Sequence, residues 1–196
     1  MTAGRQTISK QKDWCTPPKI AKKIHIFFDN KLQLDPCSNK YSLIDAKTKF
    51  ILPKNGLVQE WNYKSIFVNP PYGSYKENKS TIKHWFHKIL NSHNDYGSEI
   101  IALVPVATNT SHWKEFVYGE ATSLCFLYDT RLKFMIDGKE DTKGAPMSCC
   151  LIYWGNKIKK FENVFIDNGA VIDLRDLKKF KSIGGFKKTK LFCAED

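Results

Sequence analysis

No apolar run in the sequence approaches the roughly 20 residues that a membrane-spanning helix needs, and no basic amphipathic stretch stands out, so no membrane partner is expected. Met1 to Lys12 is polar and holds no secretory apolar core, which predicts a protein that stays in the reducing compartment where it is made. The six cysteines (Cys15, Cys37, Cys125, Cys149, Cys150 and Cys193) form no CxxC pair and no regular spacing. That argues against a disulfide framework and a zinc ribbon and leaves mostly buried thiols. His84 and His87 lie three apart on a candidate helix, but nothing converges on them, and no metal is expected. Internal repeats and low-complexity tracts are also lacking. Acidic residues are in deficit, 20 Asp and Glu against 31 Lys and Arg, for a formal net charge of +11. An excess of that size predicts an anionic partner, with nucleic acid first among them.

A chain of 196 residues can bury one core and is too short for two ordinary domains. Residues 1–12 read as a flexible arm, 13–174 as the globular domain and 175–196 as a basic C-terminal segment. Thr16-Pro17-Pro18 resembles an N-cap followed by first-turn prolines, and Ile20, Ile24, Phe27 and Phe28 fall on one face of the helix that follows. Leu32 to Asp35 reads as a short strand stopped by Pro36, and 38–63 as a long irregular loop with one short element. Ser65 to Val68 is a β-branched and aromatic run that enters Asn69-Pro70-Pro71, hence a strand running into a rigid turn. Helices are predicted over 81–90 and 111–118, and strands over 99–105 and 123–128. Ser148–Trp154 and Asn163–Ile166 read as two more strands joined as an antiparallel hairpin. The expected fold is α/β, a mostly parallel sheet with that hairpin at its edge.

Asn69-Pro70-Pro71-Tyr72 lies where open α/β sheets bind ligands, beyond the carboxyl end of a strand. Two consecutive prolines fix φ and remove two donors, which leaves the Asn69 and Pro70 carbonyls unpaired by local structure. The Asn69 amide oxygen and the Pro70 carbonyl can then accept both hydrogens of one planar NH2 group. The lone pair of such an amine is delocalised, and two acceptors that favour a pyramidal nitrogen restore its nucleophilicity. Tyr72 offers an aromatic face for a base swung out of a duplex. The same four residues fit enzymes acting on a glutamine amide or a guanine amine, and in the plainest reading they end a strand.

With these residues in hand, the chain resembles the DNA N-6-adenine-methyltransferase family of phages and prophages. The resemblance runs in pieces over roughly 13–155: Asp13-Trp14-Cys15-Thr16-Pro17-Pro18, Leu34-Asp35-Pro36-Cys37-Ser38, Asn55-Gly56-Leu57 through Trp61, Asn69 to Tyr72, Trp85, Leu103-Val104-Pro105, Arg131 to Phe134, and Gly144-Ala145-Pro146 to Ser148. Each piece is short, and their shared order makes the likeness specific. It implies a Rossmann-like class I methyltransferase fold over 13–174, S-adenosylmethionine as cofactor, a flipped adenine in DNA as substrate, and the cytoplasm of a bacterial or phage-infected cell. It also implies that Asn69, Pro70, Pro71 and Tyr72 are catalytic, and that Trp14, Thr16, Pro17, Asp35, Pro36, Cys37, Ser38 and Asn69 line the cofactor pocket. The glycine-rich loop common in other methyltransferases is replaced after Asp35 by Pro36-Cys37-Ser38-Asn39.

Simpler roles stand beside these. Asp35 could cap a turn at its strand end, Thr16 could cap its helix, and Cys37 is suited to packing rather than nucleophilic attack. Trp85 falls on an apolar helix face, while Trp14 and Trp61 either shape the pocket or pack in the core. DNA phosphates are assigned to Lys178, Lys179, Lys181, Lys187 and Lys188, among which Phe180 and Phe186 interleave, and to Arg131 and Lys133 near a strand end on the catalytic side. An RNA or protein-amide methyltransferase with the same tetrapeptide is the nearest alternative, and a non-catalytic DNA-binding relative the more distant one.

Overall fold

The computed structural model describes residues 14–73, 80–129 and 131–182. Lys187, Lys188 and Cys193 lie outside them. Strands β2 (Leu34–Ser38), β3 (Thr48–Ile51), β4 (Ser65–Val68), β5 (Glu99–Pro105), β6 (Ser123–Leu127), β9 (Cys149–Trp154) and β10 (Gly169–Asp173) form one sheet in the order β10-β6-β9-β5-β4-β2-β3. From β3 to β5 every pair is parallel; from β5 to β10 every pair is antiparallel. A small second sheet joins β1 (Trp14–Cys15), β7 (Met135–Ile136) and β8 (Lys139–Glu140).

Side-chain alternation along the strands sends neighbours to opposite faces, and both faces are covered. Phe67, Ile101, Leu103, Leu151 and Tyr153 meet α1 (Pro18–Phe27) and α4 (Ile158–Phe165), while Ile66, Val68, Ile100, Ala102, Ile152 and Trp154 meet α2 (Ile82–Tyr96) and α3 (Ser111–Phe116). Ile20, Ile24, Phe27 and Phe28 are buried as their spacing predicts, and each fully buried side chain of this size contributes about 1.5–3 kcal/mol. Trp61 and Trp85 are core residues on the α2 side.

Three expectations are corrected. Residues 163–165 belong to α4, whose Phe161, Val164 and Phe165 at helical spacing outweigh the β-propensity of the Val-Phe-Ile run. The antiparallel hairpin at the sheet edge is therefore absent: β9 sits inside the sheet between β5 and β6, and the edge strand β10 pairs with β6. Finally, β2 continues through Pro36 to Ser38, because a register shift between Asp35 and Ser38 removes the need for a donor at the proline.

The chain passes from β2 out to β3 and returns to β4 on the other side of β2. The strand order reverses there, which makes the carboxyl ends of β2 and β4 a topological switch point, the place where open α/β sheets form the crevice that takes their ligands. α5 (Arg175–Ser182) follows β10, whose last residue pairs with the first of β6, so the basic helix starts at the opposite end of the sheet from this crevice. No described helix is long and apolar enough to cross a membrane.

Candidate active site

Asn69 leaves β4 at the mouth of the crevice, and Pro70 stops the strand by lacking an N–H. The described residues give the Pro70 carbonyl no hydrogen-bond donor. The Asn69 side chain is fixed at both ends. Its Nδ2 donates to the Trp14 carbonyl at 3.2 Å and to Thr16 Oγ1 at 3.4 Å, while its Oδ1 accepts from the Tyr72 hydroxyl at 3.2 Å. The Tyr72 hydroxyl also lies 3.1 Å from the Leu103 carbonyl of β5. Burial pushes this phenol well above the ordinary tyrosine value, which keeps it a proton donor.

Trp14 reaches the site because β1 pairs with β7, which continues into β8 through Asp137-Gly138. Both turn residues have positive φ, 50° and 80°, the conformation of a two-residue hairpin turn. Asp-Gly is the sequence signal for this hairpin, and the strand assignment from the sequence leaves it out. The Trp14 ring stacks on Phe134 at 5.1 Å and 15°, and the Tyr72 ring stands nearly perpendicular to both. The Trp14 indole nitrogen is buried and has no hydrogen-bond partner among the described residues.

Thr16 is 2 % exposed. It does not cap α1: Pro17 is the N-cap and Pro18 opens the helix, so the Thr16 hydroxyl turns to Asn69. On the neighbouring strand Asp35 is 3 % exposed, and its carboxylate accepts from the Cys37 N–H at 3.1 Å and the Ser42 hydroxyl at 3.3 Å, with the Ser38 hydroxyl also beside it. Burial outweighs these bonds and raises its pKa to about 6. The Cys37 thiol lies against the Asn69 backbone N–H, and burial followed by the Asp35 charge pushes it well above the usual thiol range, so it is no nucleophile. Gly56 sits so close to Pro36 that a Cβ there would lie 2.1 Å from the Pro36 carbonyl oxygen; the Gly56 carbonyl in turn accepts from the Trp61 indole.

The structure therefore brings Trp14, Thr16, Asp35, Pro36, Cys37, Asn69, Pro70 and Tyr72 to one end of β2 and β4. Arg131 and Lys133 are exposed on the connection between β6 and β7, at that same end, and Lys133 is 3.6 Å from Glu140. Lys178, Lys179 and Lys181 lie on α5 at the other end; Lys179 pairs with Asp176 and Lys181 with Glu120. His84 serves α2 itself, its Nδ1 accepting from the Thr81 N–H. Phe134 and the Leu103 carbonyl fall in segments that carry the family resemblance, but the sequence reading gives neither a site role. A hollow of about 430 Å³ lined by Lys31, Lys64, Ser65 and Glu99 opens at the opposite ends of β4 and β5 and touches none of the site.

Compared with known families, residues 4–181 match the profile described as DNA N-6-adenine-methyltransferase (Dam). The chain belongs to this family. Membership makes it a methyltransferase of the Dam type and implies a methyl donor and DNA as its partners. Among curated proteins and among solved structures, none matches the chain.

Proposed function

We propose that this Dam-family chain transfers a methyl group from S-adenosylmethionine to the N6 amine of an adenine flipped out of DNA, on a Rossmann-like class I fold. The observation that carries the reading is the Asn-Pro-Pro-Tyr turn at the topological switch point, with the amide nitrogen of Asn69 tied down and its oxygen turned the other way. The central antiparallel β9 beside a run of parallel strands supports the fold assignment.

The residues fit the donor. The crevice offers a buried carboxylate on Asp35, an indole N–H on Trp14 that no described residue accepts from, and a β2 tip that Gly56 and Trp61 support. When bound, S-adenosylmethionine supplies an electrophilic methyl. The chain's own work is to hold the amine. Asn69 Oδ1 and the Pro70 carbonyl accept its two hydrogens and stabilise the positive charge that develops on nitrogen. Capture of the base replaces the Tyr72 hydroxyl on Oδ1, and the Tyr72 ring is the stacking surface for the base. The methylated nitrogen is acidic enough to lose its proton to water, so no general base is needed. Arg131 and Lys133, at the crevice end of the sheet, meet the phosphates.

Transfer of tritiated methyl to unmethylated DNA, followed by mass spectrometry of the nucleosides, tests the reading. The expected product is N6-methyladenine; label confined to cytosine, RNA or protein would overturn it.

A further inference from the structure

An asparagine amide has one accepting end and one donating end, and in the function proposed above only the accepting end is of use to a substrate amine. Something must decide which way the amide faces. The Trp14 carbonyl is an acceptor in every state, and β1–β7 pairing and the stack on Phe134 hold it in place 3.2 Å from Asn69 Nδ2. It therefore requires a donor at that position. Thr16 adds a second acceptor at 3.4 Å, with a hydroxyl that α1 does not use.

We propose that the segment Trp14–Thr16 is a positioning device for Asn69, which orients Oδ1 toward the substrate and makes position 69 specific for asparagine over aspartate. A carboxylate there has no donor to offer, so one of its oxygens would face the Trp14 carbonyl, acceptor against acceptor, in a half-buried site. Thr16 accordingly works through Asn69 and is no catalytic residue itself. The inference rests on the reading of Asn69 as the amine acceptor.

Variants at positions 16 and 69 and one spectrum test it. Thr16→Val keeps shape and burial but removes the hydroxyl; kcat should fall about five- to tenfold, the size of one neutral hydrogen bond, with KM for S-adenosylmethionine and for DNA nearly unchanged. Thr16→Ser keeps the hydroxyl and should restore kcat to within about twofold of the parent. Asn69→Asp should lose about a hundredfold or more in kcat, as expected for a misplaced charge-stabilising acceptor. A raised KM for the donor at full kcat in Thr16→Val, or near-normal turnover in Asn69→Asp, overturns the proposal.

The spectrum is independent of activity. With 15N-labelled asparagine, the Asn69 side-chain NH2 pair, assigned by its loss in Asn69→Ala, should be slow to exchange with solvent and should speed up in Thr16→Val. Fast exchange in the parent protein overturns the positioning role even if turnover behaves as expected. Should Thr16→Val fail to fold by circular dichroism, the Asn69→Asp turnover and the parent's exchange rate decide. Turnover in Asn69→Ala at the parental rate would instead sink the reading of Asn69 as acceptor, while the exchange data still judge the orientation.

Discussion

Replacing Asp35 by Asn should make the protein more stable at pH 8 and leave it little changed near pH 4. The carboxylate is almost wholly buried, and burial lifts its pKa from 3.8 to about 6, past the opposing pull of the Cys37 N–H and the Ser38 and Ser42 hydroxyls. Between those two values the folded protein holds a proton that the unfolded chain has released, so stability falls as pH rises through that window and is level above it. The difference amounts to roughly 3 kcal/mol at most, at 1.36 kcal/mol per pKa unit. Asparagine keeps an oxygen for the Cys37 N–H while removing the charge, so the variant escapes the loss. In a chain of this length the gain at pH 8 corresponds to about 6–12 °C in Tm. Urea unfolding of parent and variant from pH 4 to pH 8 measures it, and the comparison cancels groups common to both, including Asp29, Asp167 and Asp173, whose pKa values are lowered by basic partners. A stability difference that is flat across the range, or a variant weaker than the parent at pH 8, would refute the reasoning. A costly charge retained at a strand tip in the ligand crevice is the pattern of a functional residue, and Asp35→Asn is also expected to bind S-adenosylmethionine more weakly in calorimetry.

Other consequences can be measured separately. Asn69→Ala should lose about a hundredfold or more in turnover, on the order of 3 kcal/mol, while calorimetry finds S-adenosylmethionine binding nearly intact. Arg131→Gln with Lys133→Gln should lower the slope of log affinity for DNA against log salt by nearly two, at about 0.9 per lost phosphate contact. Lys178→Gln with Lys179→Gln should leave that slope alone, since α5 starts at the far end of the sheet; a flatter slope from this second pair would put α5 on the DNA. Gly56→Ala should cost about 1–3 kcal/mol in urea unfolding, because the added methyl meets the Pro36 carbonyl and the backbone must give way.

Much of this protein was legible as local pattern. The strands at 65–68 and 99–105 and the apolar face of α1 follow from short-range composition and periodicity, and the Asn69-Pro70-Pro71 turn follows from what proline does to a backbone. The order of motifs named the family. Where two local signals conflicted, as in residues 163–165, packing chose: Phe161, Val164 and Phe165 are buried together only as a helix. The insertion of β9 between β5 and β6, and the placement of β10 on β6, depend on which strands pair across long stretches of chain, and no short pattern carries that information. The site divides in the same way. Sequence alone could propose Asn69 and its acceptor chemistry, because the tetrapeptide is contiguous. Only the tertiary structure could set Thr16, 53 residues away, against its amide, stack Trp14 on Phe134, and raise the Asp35 pKa by burial. Hydrogen-bond partners and desolvation belong to the assembled environment, and the chain creates that environment only when β2 and β4 come to lie side by side.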